Sequence, residues 1–258
     1  MSDFLYRYIG FDTFVDMIQS KSLAFILPSI WEDPHELQAV KFYIQQQEDT
    51  VTCLLLLGIL DKTYAQCWSS LEESDAMWRI YSYANKSLRI KARRDSFIQL
   101  DPNIIIKNVI YSDEKDERIT ALGDIKNNLM QLWSIKRKAF EHEKEVRVIL
   151  PYRYPNDEAI EDHIKAYISF YTDDSSKRTS FIESFNKGSL EENVNYAVTL
   201  TNANKRVIIR KVSFAHCADF IQGVLVHPLA PSWYVETVRT FCENNGIPFE
   251  GKSSLYQR

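Results

Sequence analysis

The chain has 258 residues, 45% of them hydrophobic and 26% charged, with a net charge of −4 and a pI of about 5.8. That balance suits an ordinary globular protein with room for a sizeable core and speaks against a broadly basic nucleic-acid surface. The longest apolar run, Val51 to Leu60, is too short to span a bilayer, and the opening residues MSDFLYRYIGFD have no signal-peptide pattern.

Four cysteines, Cys53, Cys67, Cys217 and Cys242, show neither metal-ligand nor CxxC spacing and read as buried free thiols of a cytoplasmic protein. The five histidines are scattered, with no pair at a metal-ligand spacing. Seven glycines are few for this length, and neither GxGxxG nor a Walker loop is present, so the familiar glycine-built phosphate cradles are missing.

Phe4 to Ile9 predicts a short aromatic strand that places Arg7 on the face of Leu5 and Ile9. Arg7 either snorkels outward or anchors an anion in a cleft. A helix over about Asp12 to Lys21 and a strand over Leu23 to Leu27 follow. Asp33, Pro34 and Glu36 have the order of an N-cap, N1 and N3, which predicts a capped helix running to about Gln46. Val51 to Leu60 has no clear period and reads as buried helix or strand. Tyr64 to Ser69 is a predicted strand, followed by a helix over Asp75 to Asn85 with Met77, Ile80, Tyr81 and Ala84 on one face. Ser87 to Ala92 is the next strand. This unit sets the Ser69 and Ser70 hydroxyls at a strand end beside a helix start, a place that favours a polar or anionic ligand or a capping cluster.

Ile104 to Tyr111 predicts a strand and Glu117 to Ala139 a long helix, ending in Lys136-Arg-Lys138 as suits a helix C-terminus or a bound phosphate. Ile164 to Tyr171 reads as a strand, residues 172–192 as a flexible polar loop. Tyr196 to Leu200, Lys205 to Phe214 and Phe220 to Val226 read as strands, Trp233 to Asn244 as a helix, and Phe249 to Tyr256 as a last strand. Strands and helices mix without strict alternation. The expectation is one α+β domain, a mixed and largely antiparallel sheet with packed helices.

The chemically suggestive stretch is Phe140 to Leu150, F-E-H-E-K-E-V-R-V-I-L. Val146, Val148 and Leu150 alternate as the buried face of a strand. If that strand reaches back to Glu141, its other face carries Glu141, Glu143, Glu145 and Arg147, spaced about 6.5–7 Å apart. Such a row is either a solvated face with an i,i+2 ion pair or a site that needs fixed negative charge.

Several blocks together resemble a bacterial family catalogued as domain of unknown function twenty-nine seventy-one. They are Leu5-Tyr-Arg-Tyr8, Ser29-Ile-Trp-Glu-Asp-Pro-His-Glu36, Cys67-Trp-Ser69, Ser74-Asp-Ala-Met-Trp-Arg-Ile-Tyr-Ser82, Lys136 through Arg147, Val226-His-Pro-Leu-Ala230 and Ser253-Ser-Leu-Tyr256. Glu32 stands where that family usually has Asn. The order of Arg7, then Ser69 before Met77, then Glu143-Lys-Glu145 also resembles ADP-ribosyltransferase folds of the toxin type. That second resemblance implies an NAD-consuming transferase or hydrolase, a toxin or phage-defence effector, with NAD as its dinucleotide ligand and a macromolecular acceptor. It implies that Glu145 holds the ribose and steadies an oxocarbenium-like cation, as carboxylates do in glycosidases. Glu143 would orient or deprotonate the acceptor, Arg7 would take the pyrophosphate and Ser69 would position its neighbours. Tyr8, Trp68 or Trp78 would stack on nicotinamide, and Arg147 would belong to the same binding set.

Two other classes stay open on the same residues. One is a metal-dependent nuclease using Asp33, Glu36, Glu143 and Glu145, although no clear D…ExK pattern is present. The other is a non-catalytic ligand-sensing or protein-interaction module with an aromatic pocket.

Overall fold

The computed structural model describes residues 3–33, 35–45, 50–113, 129–153, 155–162 and 207–256. Phe4–Gly10 forms β1 and runs directly into helix α1, Phe11–Gln19, which buries Phe14, Met17 and Ile18, an i, i+3, i+4 stripe. Lys21 adopts a positive φ of 47° and turns the chain into β2, Ser22–Ile26. Helices α2, Gln38–Gln45, and α3, Thr50–Lys62, lead to β3, Tyr64–Ser69. The short helix α4, Asp75–Ile80, precedes β4, Ser87–Arg93. Next come α5, Ser96–Leu100, β5, Ile105–Asn108, and β6, Ile110–Tyr111. After residue 128 come β7, Ile135–Lys136, and β8, Glu145–Leu150. The last part holds β9, Ile209–Ser213, α6, Cys217–Phe220, β10, Ile221–Val226, α7, Ser232–Asn244, and β11, Phe249–Lys252.

The fold is α+β, and among the described residues nine strands share one sheet. Its main path is β11-β10-β4-β1-β3-β2-β9, and β8 joins β3 on one side and β5 on the other. All pairings in this sheet are antiparallel except β10 with β11. One core packs α1, α5 and α7 against one face through residues such as Leu5, Phe14, Trp68, Phe97, Val146, Val148 and Val238. A second core on the opposite face gathers α2, α3 and the 3-10 turn Leu129–Ser134 around Ala65, Trp133 and Ile149. β8 is therefore buried on both sides.

The pairing of β3 creates the feature that matters most. One edge of β3 is fully laddered to β8, from Tyr64↔Leu150 to Ser69↔Glu145. Among the described residues, its other edge meets β1 only at Tyr6↔Ser69 and β2 only at Ile26↔Ala65. Between those points the sheet forks. The Gln66 amide spans part of the fork, donating to the Ala24 carbonyl at 2.7 Å.

Several expectations change. Strand β8 starts at Glu145, because Lys138–Glu143 is a 3-10 turn ended by Lys144 in the left-handed conformation, φ 44° and ψ 49°. The expected helix up to Ala139 does not hold in its last part, where Leu129–Ser134 is 3-10 and Ile135–Lys136 pairs with β6. Extension there lets Lys136 reach the acids of the following turn. The helix from Asp75 ends at Ile80, and Ala84 and Asn85 have φ of 50° and 59°. The strand expected over Ile104 to Tyr111 breaks at Val109, whose N–H donates to the Glu145 carbonyl at 3.0 Å. Cys242 is buried, whereas Cys67 and Cys217 are half-buried; all three are free thiols. The side chain of Cys53, Pro34, residues 114–128, the strands expected over 164–171 and 196–200, and the loop over 172–192 lie outside the described residues.

Among the described residues, no helix is long and apolar enough to cross a membrane.

Candidate functional site

The fork opens a cleft of about 160 Å³ lined by Tyr6, Arg7 and Tyr8 of β1, Cys67, Trp68 and Ser69 of β3, Met77 and Tyr81 from the α4 segment, and Glu143 and Glu145. Consecutive residues of both β1 and β3 reach it. That is the signature of a gap between strands, since on one face of a sheet only alternate residues meet. Six residues singled out from the sequence converge here: Arg7, Tyr8, Trp68, Ser69, Glu143 and Glu145.

The two acids arrive by different routes. Glu145 opens β8, and its N–H donates to the Tyr111 hydroxyl at 2.7 Å. Glu143 ends the 3-10 turn, and the left-handed Lys144 swings it back beside Glu145. The end of β3 clamps that turn: Ser69 Oγ donates to the Glu143 carbonyl at 2.7 Å, and Ser70 donates its N–H and hydroxyl to the Lys144 carbonyl at 3.0 and 3.1 Å. Ser69 thus positions the acid-bearing turn. Glu141, expected on the same face, is exposed instead and pairs with Lys144 at 3.0 Å.

Lys136 is the hub. Its Nζ lies 2.7 Å from Glu143 Oε2, 2.9 Å from Glu145 Oε2 and 3.6 Å from Glu36 Oε1. Arg147 is fully buried; it donates from Nε to Glu145 Oε1 at 2.8 Å, from Nη1 to the Trp133 carbonyl at 2.6 Å and from Nη2 to Glu36 Oε2 at 2.8 Å. Its guanidinium also lies 4.6 Å from the centre of the Trp31 ring. Arg147 is therefore a support behind the cleft and does not line it. Three carboxylates face two cations, leaving a formal charge of −1 in a nearly dry cluster.

These contacts set the ionisation. Burial opposes the charge of Glu145, but Arg147 and Lys136 outweigh it and hold the carboxyl down at about 2. Burial wins at Glu36, whose carboxyl is raised against the pull of Arg147. Burial works against the charges of Lys136 and Arg147 as well, yet the acids beside them raise both. The Cys67 thiol is pushed well up, first by burial and then by Glu145, so it is no thiolate nucleophile.

Arg7 is the cleft's other charge. Its side chain is half-buried, and burial lowers its pKa while Cys67 and Tyr81, both neutral near pH 7, stand beside it. Among the described residues its guanidinium has no carboxylate partner and no hydrogen bond. Arg7 lines the cleft from the middle of β1.

The aromatic candidates separate. Tyr8 lines the cleft, accepts the Ser74 N–H at 3.1 Å and is raised to about 12 by burial. Trp68 presents only part of its ring, since it is 2% exposed and packs edge-on against Phe97 and Phe220. Trp78 does not line the cleft. It is fully buried, edge-on to Tyr8 at 4.7 Å, with Nε1 donating to Glu73 at 2.8 Å; it is a core residue and cannot stack on a ligand.

The 31–36 segment also changes meaning. Asp33 accepts the His35 N–H at 3.0 Å, but α2 starts only at Gln38, after Leu37 at φ 63°. Asp33 pairs with Arg137 at 3.1 Å, Glu36 with Arg147 and Lys136, and Trp31 with Arg147. The expected capping box is in fact a clasp onto the 136–147 segment. The links of Tyr81 to Glu143 and of Glu36 to Arg147 span 62 and 111 positions, and no local pattern marks such pairs; Lys136 meets Glu143 and Glu145 only 7 and 9 positions on, across a stretch whose pattern reads as a helix end.

Compared with protein-family models, with curated proteins and with solved structures, the chain finds no match in any of the three.

Proposed function

We propose that the cleft receives the nicotinamide–ribose end of NAD and breaks the bond between them, passing the ADP-ribosyl group to water or to a macromolecular acceptor. The observation that carries this reading is the convergence of Glu143 and Glu145 with Arg7, which has no carboxylate partner among the described residues, in one small cleft. In the reaction the C1′–N bond breaks and its electron pair leaves with nicotinamide. Positive charge grows on the ribose, and fixed carboxylates stabilise such a cation best where water is scarce. The incoming oxygen bonds C1′ and loses its proton to an acid of the cleft. A guanidinium suits the phosphate oxygens next to the ribose. A volume of about 160 Å³ suits roughly one ring, since a 150 Å³ cavity takes benzene; the rest of the dinucleotide extends outside. The macromolecular acceptor and the toxin or phage-defence setting rest on the resemblance alone.

A second reading, ligand binding without turnover, is favoured by one fact: both oxygens of Glu145 are already held by cations. The nuclease reading gains no support, because Lys136 sits where the three carboxylates meet and no group of three or more His, Cys, Asp or Glu among the described residues is arranged to hold a metal. Incubation with NAD separates the first two. Release of nicotinamide that is lost in Glu143→Gln and Glu145→Gln, with both variants folded, supports turnover. Thermal stabilisation by NAD without release supports binding alone.

A further inference from the structure

Glu143 and Glu145 share Lys136, but they are not equivalent. Glu145 is 3% exposed and has a full ionic partner on each oxygen, Arg147 Nε on Oε1 at 2.8 Å and Lys136 on Oε2 at 2.9 Å. Among the described residues Glu143 has one, Lys136 on Oε2 at 2.7 Å. Among the described residues its Oε1 meets only the Tyr81 hydroxyl, at 3.4 Å, which is long for an O–H···O contact. Tyr81 is 43% exposed and lines the cleft beside Glu143, which is 6% exposed, so the Oε1 contact lies at the cleft wall next to an exposed ring. Among the described residues, two cations serve the three acids of this cluster, and Glu143 holds one of them through a single oxygen.

We infer that Glu143, through Oε1, is the carboxylate that touches the ligand, and that Glu145 is a positioning residue whose charge fixes Lys136 and Arg147 behind it. This rests on the proposed reading for the identity of the ligand but not for the division between the acids. It reverses the roles the sequence resemblance implies, in which Glu145 holds the ribose. A ligand hydroxyl or a nascent cation displaces the long Tyr81 contact at little cost, whereas a contact to Glu145 would have to break a short, buried, charge-assisted bond.

Carboxylate labelling of the full chain tests this directly. The folded wild-type protein is treated with a water-soluble carbodiimide and glycine ethyl ester, and tandem mass spectrometry reads Glu143 and Glu145 separately. Glu143 is expected to be converted several-fold faster than Glu145, and saturating NAD is expected to slow Glu143. Equal or faster labelling of Glu145, or no labelling of either until the protein unfolds, overturns the assignment. Preferential labelling of Glu143 that NAD does not slow leaves the division between the acids standing and removes NAD as the ligand.

Discussion

Ser69 donates its hydroxyl to the backbone carbonyl of Glu143 at 2.7 Å across 74 residues of chain, so the end of one strand holds the turn that presents the acid. The same oxygen accepts the Leu71 N–H at 3.1 Å. Ser69→Ala therefore leaves a buried carbonyl and an N–H without partners, a loss of about 1–3 kcal/mol. A melting temperature several degrees lower is expected. Nicotinamide release, if present in the wild type, should fall even at temperatures where the variant is fully folded, because the turn loses its anchor. Unchanged stability would show that the clamp is dispensable.

Acid unfolding should carry the mark of Glu145. Its carboxyl is held at about 2 in the fold, against an ordinary value of 4.5. A depressed acid contributes stability that is present above 4.5 and is lost as the pH falls toward 2; for this shift that is about 3 kcal/mol. Glu36 acts in the opposite sense: its raised carboxyl favours the fold when protonated and offsets part of the loss near its own titration. The denaturation midpoint in urea should fall most steeply between pH 4.5 and 2 in the wild type. In Glu145→Gln that slope should flatten, while stability at pH 7 drops by about 3–5 kcal/mol, the cost of removing one partner of a buried ion pair.

The strands and helices that can be read from the sequence are those whose pattern is set by burial of one face. β1, β3, β4, β10 and α7 lie within a residue or two of expectation, since Leu5 and Ile9, or Tyr234, Val238 and Cys242, repeat at the period of their element. The site was half legible. Ser69 and Glu145 stand at strand ends, Arg7 in the middle of β1 and Glu143 at the end of a 3-10 turn, each with chemistry that local spacing exposes. Glu36 fits a capping box as well as a metal ligand, and Lys136 a helix C-terminus as well as a phosphate site, because local pattern alone does not say which partner a charge has. The alternation E-H-E-K-E likewise looks like strand, yet one left-handed residue, Lys144, breaks the parity and still delivers Glu143 to the side of Glu145.

That left-handed turn can be probed at Lys144 itself. A residue with a Cβ pays roughly 1–2 kcal/mol to sit there, and the exposed pair with Glu141 returns at most about 1 kcal/mol. Lys144→Gly should leave stability within about 1 kcal/mol of wild type, the relief of strain being offset by chain entropy. Lys144→Val should lose about 1–2 kcal/mol more than Lys144→Gly, since a β-branched residue is least at home at positive φ. Equilibrium urea unfolding of the three proteins ranks them. Val as stable as Gly would mean that the turn relaxes to another conformation.

Lys136→Met isolates the hub. The methionine fills the stem's volume but removes the cation 2.7 Å from Glu143 and 2.9 Å from Glu145. Two buried acids then face each other with only Arg147 for relief, and like charges at such range raise one another's pKa. The folded variant consequently takes up a proton at a higher pH than the unfolded chain does, so its stability should rise as the pH is lowered from 7 toward 5. The wild type, whose Glu145 is held low, gains nothing over that range from this carboxyl. The stability gap between the two proteins should be widest near neutrality, about 3–5 kcal/mol, and should narrow on acidification. Melting temperatures measured from pH 5 to 8 read the gap directly. Lys136→Arg should restore part of it, because the charge returns in a bulkier, forked form. A gap that stays constant with pH would mean that the lysine stabilises the turn by packing against Phe140, whose ring centre lies 4.6 Å from Nζ, and not by holding the two carboxylates together.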